Sequence, residues 1–278
     1  MLASVALIAV IAVIAVIALG ASGNAGVDPV AQAATVSSSA PGYRMHMAMQ
    51  ISGLPTAITA TGDGTFDVPN HSGTMTLAMN FGNDPQIVQS LGSNTLRIEE
   101  IVNGTTVYMK LPATLTSGLR LLGKQWIAVN LAKATGIPGL SSLQSNPVSS
   151  DPSEMLQYLR AQSDSIVNAG HEVLDGLPTT HYRAQLSLDR VAAAVPAADR
   201  PAAQQALSQL EQVTQIHTLP VDVWVDADHR VRRIETTVSP SLPGGQTLNE
   251  SITIDISHYG PEPQPAIPPA GEVANVGG

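Results

Sequence analysis

Residues 44–51 read Arg-Met-His-Met-Ala-Met-Gln-Ile, and this short stretch decides which kind of fold the chain can form. Met45, Met47, Met49 and Ile51 take every second position, and the side chains between them are polar or small. Successive side chains of a β-strand point to opposite faces of a sheet, so this period of two predicts a half-buried strand. We therefore expect a sheet with one apolar face that is rich in methionine.

Similar segments recur along most of the chain. Residues 73–80 alternate in the same way and place Met75, Leu77 and Met79 on one side. Further strands are predicted at 57–66, 95–102, 105–111, 125–129, 166–174, 180–188, 221–225, 230–238 and 246–257. Short turns such as Asn103-Gly104 and Asp175-Gly176 join many of them, and short connections join antiparallel strands. The predicted fold class is α+β, dominated by an antiparallel sheet.

Two segments favour helices instead. The first is a helix predicted over residues 152–163. Asp151 is placed to cap it, Pro152 fits its first turn, and Met155, Leu156 and Leu159 lie on one side. Residues 188–213 are rich in Ala and Gln and are interrupted at Pro196. These are the helices that we expect to pack on the sheet.

The chain begins with an apolar segment, residues 2–19, that contains no charged side chain. As a helix it would rise about 27 Å, close to the hydrocarbon thickness of a bilayer. Residues 1–20 are thus predicted to be either a secretory signal peptide, cleaved at a site such as Ala31-Gln32-Ala33, or a retained membrane anchor. Both alternatives give an extracytoplasmic protein of the cell envelope, either secreted or anchored to the membrane by residues 2–19.

Composition then divides the rest of the chain. Residues 21–42 are rich in Ser, Gly and Ala and predict a flexible linker, whereas residues 261–278 predict a Pro/Gly-rich extended tail. Between them, residues 43–260 are long enough for one domain with a sizeable core, which we expect, or for two small domains.

Charge and cysteine content exclude several functions. The net charge is −9 without any cluster of basic residues, so a nucleic acid partner is not expected. The chain has no cysteine, which excludes disulfides and thiolate metal sites. The low content of charged residues, 13%, is typical of an exported, β-rich protein from a high-GC bacterium.

No catalytic motif is present, and neither a cofactor nor a metal is expected. His171, His181 and Glu172 flank one predicted hairpin and would suit a metal, but two solvent-facing strand histidines are the simpler interpretation. Asp222, Asp226 and Asp228 lack the spacing of a calcium loop. We therefore predict a protein that is not an enzyme.

The methionines are the unusual feature of the sequence. Six of the eight, including Met109, lie on predicted strands, and those that share a strand share a face. Methionine is flexible and polarisable and lines surfaces that accept variable apolar shapes. The residues alone are also explained by an ordinary core, which is the simpler interpretation.

Four segments resemble the LolA/LppX-like lipoproteins of the bacterial envelope, in particular the LppX/LprAFG type of actinobacteria. They are residues 151–159, 170–183, 219–234 and 254–260, in that order along the chain. The resemblance implies a curved antiparallel half-barrel with helices covering its concave face, in proteins that carry lipids or acyl chains. In Leu19-Gly20-Ala21-Ser22, Ser22 stands where a lipobox has the lipidated cysteine, so attachment by a lipid is excluded.

With the resemblance, the methionines are interpreted as part of an apolar cleft for a lipid or acyl chain. The alternative is a sensor or structural module with a closed cleft that binds another envelope protein. The predicted partners are thus a lipid, the membrane through the N-terminal segment, and an envelope protein. The predicted cleft residues are Met45, Met47, Met49, Met75, Leu77, Met79, Met109, Met155, Leu156 and Leu159.

Overall fold

The computed structural model describes residues 29–110, 112, 123–130, 166–187, 216–240 and 245–276, together with five separate positions between 204 and 212. The backbone divides into two compact units. The first unit comprises Met1–Ser39 and Ser145–Leu248, and the second comprises Ala40–Gln144 and Asn249–Gly278. Each is described here by itself.

Strands dominate the described residues, as the alternating patterns predict. In chain order the elements are α1 (Pro29–Ser38), β1 (Gly42–Ser52), β2 (Ile58–Asp67), β3 (Ser72–Asn80), α2 (Pro85–Leu91), β4 (Thr95–Asn103), β5 (Thr106–Lys110), β6 (Trp126–Asn130), β7 (Val167–Leu174), β8 (Leu177–Ser187), β9 (Thr218–Asp226), β10 (Val231–Val238), β11 (Asn249–Ser257), a 3₁₀ turn (Ala270–Glu272) and β12 (Val273–Val276).

The second unit contains a sheet in the order β12-β6-β5-β4-β3-β2-β1-β11. All pairs in it are antiparallel except β12 with β6, which is parallel. Toward β6 both faces of this sheet bury apolar side chains. One face carries Val107, Ile127 and Val129, and the other carries Ile101, Trp126, Ala128 and Val273.

The first unit contains the antiparallel order β10-β9-β8-β7 and the helix α1. Val30, Ala33, Ala34 and Ser37 are almost completely buried, at a spacing that forms one stripe of a helix. The Ser37 hydroxyl oxygen accepts a hydrogen bond of 2.9 Å from the backbone N–H of Val231 on β10. The predicted linker at 21–42 is therefore wrong over residues 29–38, and the candidate cleavage site Ala31-Gln32-Ala33 lies inside α1.

The predicted tail also needs correction. Residues 273–276 form β12 instead of an extended tail, and Glu262 is buried and pairs with Arg44 at 2.8 Å. An unpredicted helix, α2, follows Asp84, whose carboxylate accepts hydrogen bonds from the N–H groups of Gln86 and Ile87. Asp84 before the helix, Pro85 at its first position and Gly92 after it are ordinary helix boundary signals, but the helix has only seven residues and was not predicted.

The remaining helix predictions fall mainly on residues outside the described part. All of 152–163 lies there, and within 188–213 the described positions Gln204, Gln205, Ser208, Glu211 and Gln212 are helical. Residues 2–19 also lie outside it. Among the residues that are described, no helix is both long and apolar enough to cross a membrane.

Three glycines let the strands of the second unit hold bulky neighbours. A Cβ atom at Gly73 would lie 2.7 Å from the carbonyl oxygen of Thr65 and 2.6 Å from the ring of Phe66. Gly64 lies under the same ring, with a virtual Cβ 2.9 Å from it, and Gly62 lies under methionines described below. Although Gly62-Asp63-Gly64 interrupts the run of strand-forming residues, the segment is part of the continuous strand β2.

We expect Gly73→Ala to lower the free energy of unfolding by about 1–3 kcal/mol, because the added methyl overlaps backbone as well as a ring. Gly260→Ala is the matched control, since nothing lies within 4 Å of its virtual Cβ. Urea denaturation of both variants measures the difference. Equal stability of the two would contradict the packing described here.

Candidate functional site

The sheet of the second unit carries the predicted methionine residues on one face. Met45 pairs with Gly64 on β2, and Gly64 pairs with Met75 on β3. Residues paired directly across neighbouring strands point to the same side of a sheet. The neighbouring rows are Met47–Gly62–Leu77 and Met49–Ala60–Met79. We call the side that bears these residues the methionine face.

The rows continue onto other strands of the same unit. On β11, Ile256, Ile254 and Ile252 pair with Met45, Met47 and Met49 respectively. On β4, Leu96 and Ile98 extend two rows, and Glu100 extends the third, which then reaches Met109 on β5. Met109 packs against the cluster of Val107, Ile127 and Val129. Along these rows the face is thus a broad apolar surface that includes the carboxyl group of Glu100.

Glycines under the methionines bring their side chains together. A Cβ atom at Gly62 would lie 3.0 Å from Met75 Cε, and 3.5 Å from both Leu77 Cδ1 and Met47 Cε. Side chains from β1 and β3 therefore converge over β2. Because the middle strand contributes only backbone there, these side chains cover the space over it.

The side chains of the methionine face differ in burial. Met45, Met49 and Met79 are each 6% exposed, whereas Met47, Met75 and Leu77 are only half-buried. The sequence alone cannot distinguish these two groups, since both occupy the same alternating positions. The half-buried residues are the ones that gather over Gly62. Met155, Leu156 and Leu159 lie outside the described residues, and their place in the site stays a prediction.

The two ends of the methionine face differ in chemistry. At one end Tyr43 stacks on Phe66, with ring centroids 5.3 Å apart, and Tyr259 lies 6.3 Å from Tyr43. At the other end Glu250 on β11 pairs with Ile51, which pairs in turn with Ile58. The first end is aromatic, and the second holds a carboxyl group among isoleucines.

Glu250 is an unusual residue for its position. It is 3% exposed, and its Oε1 atom has no hydrogen-bond partner among the described residues. Burial raises the pKa of this carboxyl to about 7 because it disfavours the charged form. Glu250 was not among the predicted site residues, although the alternation of Ile252, Ile254 and Ile256 places position 250 on the same side of the strand.

A polar cluster in the first unit corrects the expectation for its histidines. His181 is buried rather than solvent-facing, and its Nδ1 and Nε2 atoms lie 3.1 Å from Glu172 Oε1 and 2.6 Å from Asp222 Oδ1. Its ring stacks on Trp224 at 4.2 Å, and Trp224 Nε1 donates to Glu172 Oε2 over 2.8 Å. That hydrogen bond is the main cause that lowers the pKa of Glu172. With a proton on each nitrogen, the imidazole donates to both carboxylates.

This cluster joins three strands rather than forming a metal centre. Glu172, His181 and Asp222 come from β7, β8 and β9, and His171 is exposed beside Thr180 Oγ1 at 3.2 Å. Asp226 Oδ2 pairs with Arg232 at 2.6 Å, and Oδ1 accepts turn N–H groups. No group of three or more potential ligands among the described residues is arranged to hold a metal ion.

His181→Ala is expected to lower the free energy of unfolding by about 1–3 kcal/mol, because the buried ring no longer packs on Trp224 and the two carboxylates lose their shared donor. His171→Ala, on the neighbouring strand and exposed, is the control and should change it by less than about 0.5 kcal/mol. Chemical denaturation at neutral pH measures both. A His181 variant as stable as the control would show that the cluster is dispensable for stability.

Glu250 should make stability depend on pH in a particular direction. The pKa of a glutamate in the unfolded chain is 4.5, whereas burial raises the pKa of the Glu250 carboxyl in the folded chain to about 7. The free energy of unfolding therefore decreases by about 2–3 kcal/mol as pH rises from 4.5 to 7 on this account alone. In Glu250→Gln that contribution disappears, so urea denaturation at pH 4.5, 6 and 8 should show a flatter profile. If Glu250→Gln and the unmodified chain showed the same dependence of stability on pH, Glu250 would not be the cause.

No family model matches the sequence, and no curated protein sequence matches it. Solved structures that resemble it include LprF from Mycobacterium bovis, with 14% identity, coverage of 86% of this chain and 94% of that one, and a TM-score of 0.46. The Mycobacterium tuberculosis lipoprotein LppX has 16% identity, coverage of 82% and 91%, and a TM-score of 0.41.

A putative outer membrane lipoprotein-sorting protein domain from Vibrio parahaemolyticus has 10% identity, coverage of 82% and 89%, and a TM-score of 0.27. At these identities and TM-scores, the likenesses do not establish a function. They fall on the same group of proteins as the four sequence segments, and the chain is similar to the LolA/LppX-like lipoproteins.

Proposed function

We propose that this chain is a non-enzymatic envelope protein that binds a lipid or acyl chain on the methionine face. The observation that carries the proposal is the convergence of Met47, Met75 and Leu77 over Gly62, where they stay half-buried. Three flexible apolar side chains around a strand without a side chain form a surface that adapts to a methylene chain. Each methylene that leaves water contributes about 0.8 kcal/mol, so such binding needs few polar contacts.

The dimensions and composition of the face suit such a ligand. From Tyr43 to Ile51 on β1 is eight residue steps, or about 27 Å at the usual strand rise. Apart from Glu100 and Glu250, the paired residues along these rows are apolar or glycine. A curved half-barrel covered by helices, with Met155, Leu156 and Leu159 completing the cleft, is the arrangement that we propose with it.

A second candidate function rests on β7, in the first unit. This strand pairs with β8 and with no other described strand, and Val167, Val173 and Leu177 at this hairpin are 57%, 73% and 43% exposed. An exposed strand edge with apolar side chains is a template for pairing with another chain. The alternative of an interaction module that binds another envelope protein is therefore retained.

The proposal is tested by displacement of a fluorescent fatty-acyl probe from the purified full chain, with mass spectrometry of any lipid that co-purifies. Met75→Glu should weaken probe binding by about tenfold or more, because an unpaired charge would face an apolar ligand. Thr76→Glu is the matched control, since its side chain is exposed and lies on the opposite face of the same strand.

Circular dichroism and thermal unfolding show whether each variant is folded. Met47→Leu, a nearly volume-conserving change, keeps the site apolar and should bind nearly as well as the unmodified chain. If the folded chain takes up no probe in a saturable manner and carries no lipid, the carrier function is wrong and the interaction module replaces it. Equal weakening by Met75→Glu and Thr76→Glu would remove the methionine face from the site.

A further inference from the structure

Glu250 is placed where the end of a ligand on the methionine face would reach. It lies in the row Glu250–Ile51–Ile58, next to the row that contains Met49, and on the side of β11 that bears Ile252. It is buried, and Oε1 lacks a hydrogen-bond partner among the described residues. An unsatisfied carboxyl in apolar surroundings destabilises the folded chain, so its presence calls for a partner or a function.

Among the described residues, the neighbours of Glu250 on the methionine face do not supply a partner for its Oε1 atom. Ile51 and Ile58, which share its row, have no polar side-chain atom, and burial is the cause of its raised pKa, without a contribution from a neighbouring charge. Nor is there a metal-ligand cluster among the described residues. The partner of this carboxyl is therefore sought in the ligand.

Charge on the methionine face restricts what that ligand can be. The basic residues of the paired strands, such as Arg44, Arg97 and Lys110, occupy the alternate positions that point to the other side. On the face itself, the ionisable groups of β11 and β1–β5 are Glu250 and Glu100. Among the described residues of these strands the face has no basic side chain, so a carboxylate or phosphate head group beside ionised Glu250 would be repelled.

We propose that Glu250 selects an acyl lipid with an uncharged polar end, by donating a hydrogen bond from its carboxyl to an ester or hydroxyl oxygen of that lipid. The inference rests on the proposed function, and it names the ligand class of the same site. A protonated carboxyl satisfies such an oxygen without separating charge. An ammonium head group would instead require an ionised carboxylate in an apolar environment, which burial disfavours.

The test compares two competitors with the same acyl chain, monopalmitoylglycerol and palmitate, against a fluorescent acyl probe on the full chain. In the unmodified chain at pH 8.5, we expect monopalmitoylglycerol to bind about tenfold tighter than palmitate, because the palmitate head group is repelled by ionised Glu250. At pH 6, where Glu250 regains its proton, monopalmitoylglycerol should bind about fivefold tighter than at pH 8.5.

Two substitutions separate the contributions of Glu250. Glu250→Gln keeps a donor of similar shape without ionising, so monopalmitoylglycerol binding should no longer depend on pH and palmitate binding at pH 8.5 should increase. Glu250→Leu removes the donor and should weaken monopalmitoylglycerol binding about fivefold while the preference over palmitate falls. Thr253→Val, on the other side of β11, is the control and should change neither.

The outcomes distinguish the two proposals. If the unmodified chain binds neither competitor, the proposed function fails and this inference fails with it. If it binds both equally, or if Glu250→Gln and Glu250→Leu keep the preference and its pH dependence, acyl binding stands and the role of Glu250 is wrong. Unfolding curves of the variants at both pH values establish that folded protein is compared.

Discussion

The register between β1, β2 and β3 is the constraint on which the methionine face depends. Because side chains alternate strictly along each strand, a slip of one residue would turn Met45, Met47 and Met49 to the opposite side. The glycines support this register, because Gly62 lies beneath Met75 and Met47 and a side chain at this position would press against Met75. The large side chains of β1 and β3 can thus pack over β2 because the middle strand has glycine there.

The burial of each methionine depends on its place on the face. Toward Tyr43 and Phe66 the stacked rings enclose one end, and Met45 beside them is nearly fully buried. Toward Ile51 and Ile58 the aliphatic residues enclose the other end. Between these ends Met47 and Leu77 of the middle row, and Met75 of the row beside it, are only half-buried, so methionines at equivalent alternating positions differ in exposure. This is why composition alone could not decide between the two interpretations of the methionines.

The sequence predicted the strands well because period two leaves a strong local signature, and the shared face of Met45 to Met79 followed from it. The helix α1 was missed because its buried residues are small, and Ala33, Ala34 and Ser37 read as linker composition. Likewise, the environment of Glu250 and the contacts of His181 come from strands distant in sequence, such as β1 and β9. Alternation indicates which side a residue takes, but the partner that it meets there depends on pairing between distant segments.

β12 has a consequence for the solution behaviour of the chain. The strand Val273–Val276 lies parallel to β6 and covers its hydrogen-bonding edge, and Lys124 Nζ donates to the Val273 carbonyl over 2.7 Å. Without it, the edge of β6 would present unpaired N–H and C=O groups next to Trp126 and Ile127, the kind of surface that recruits strands from other molecules. Pairing of Val273–Val276 with β6 therefore covers an edge to which another strand could add, and a chain without these residues is expected to self-associate more readily through β6.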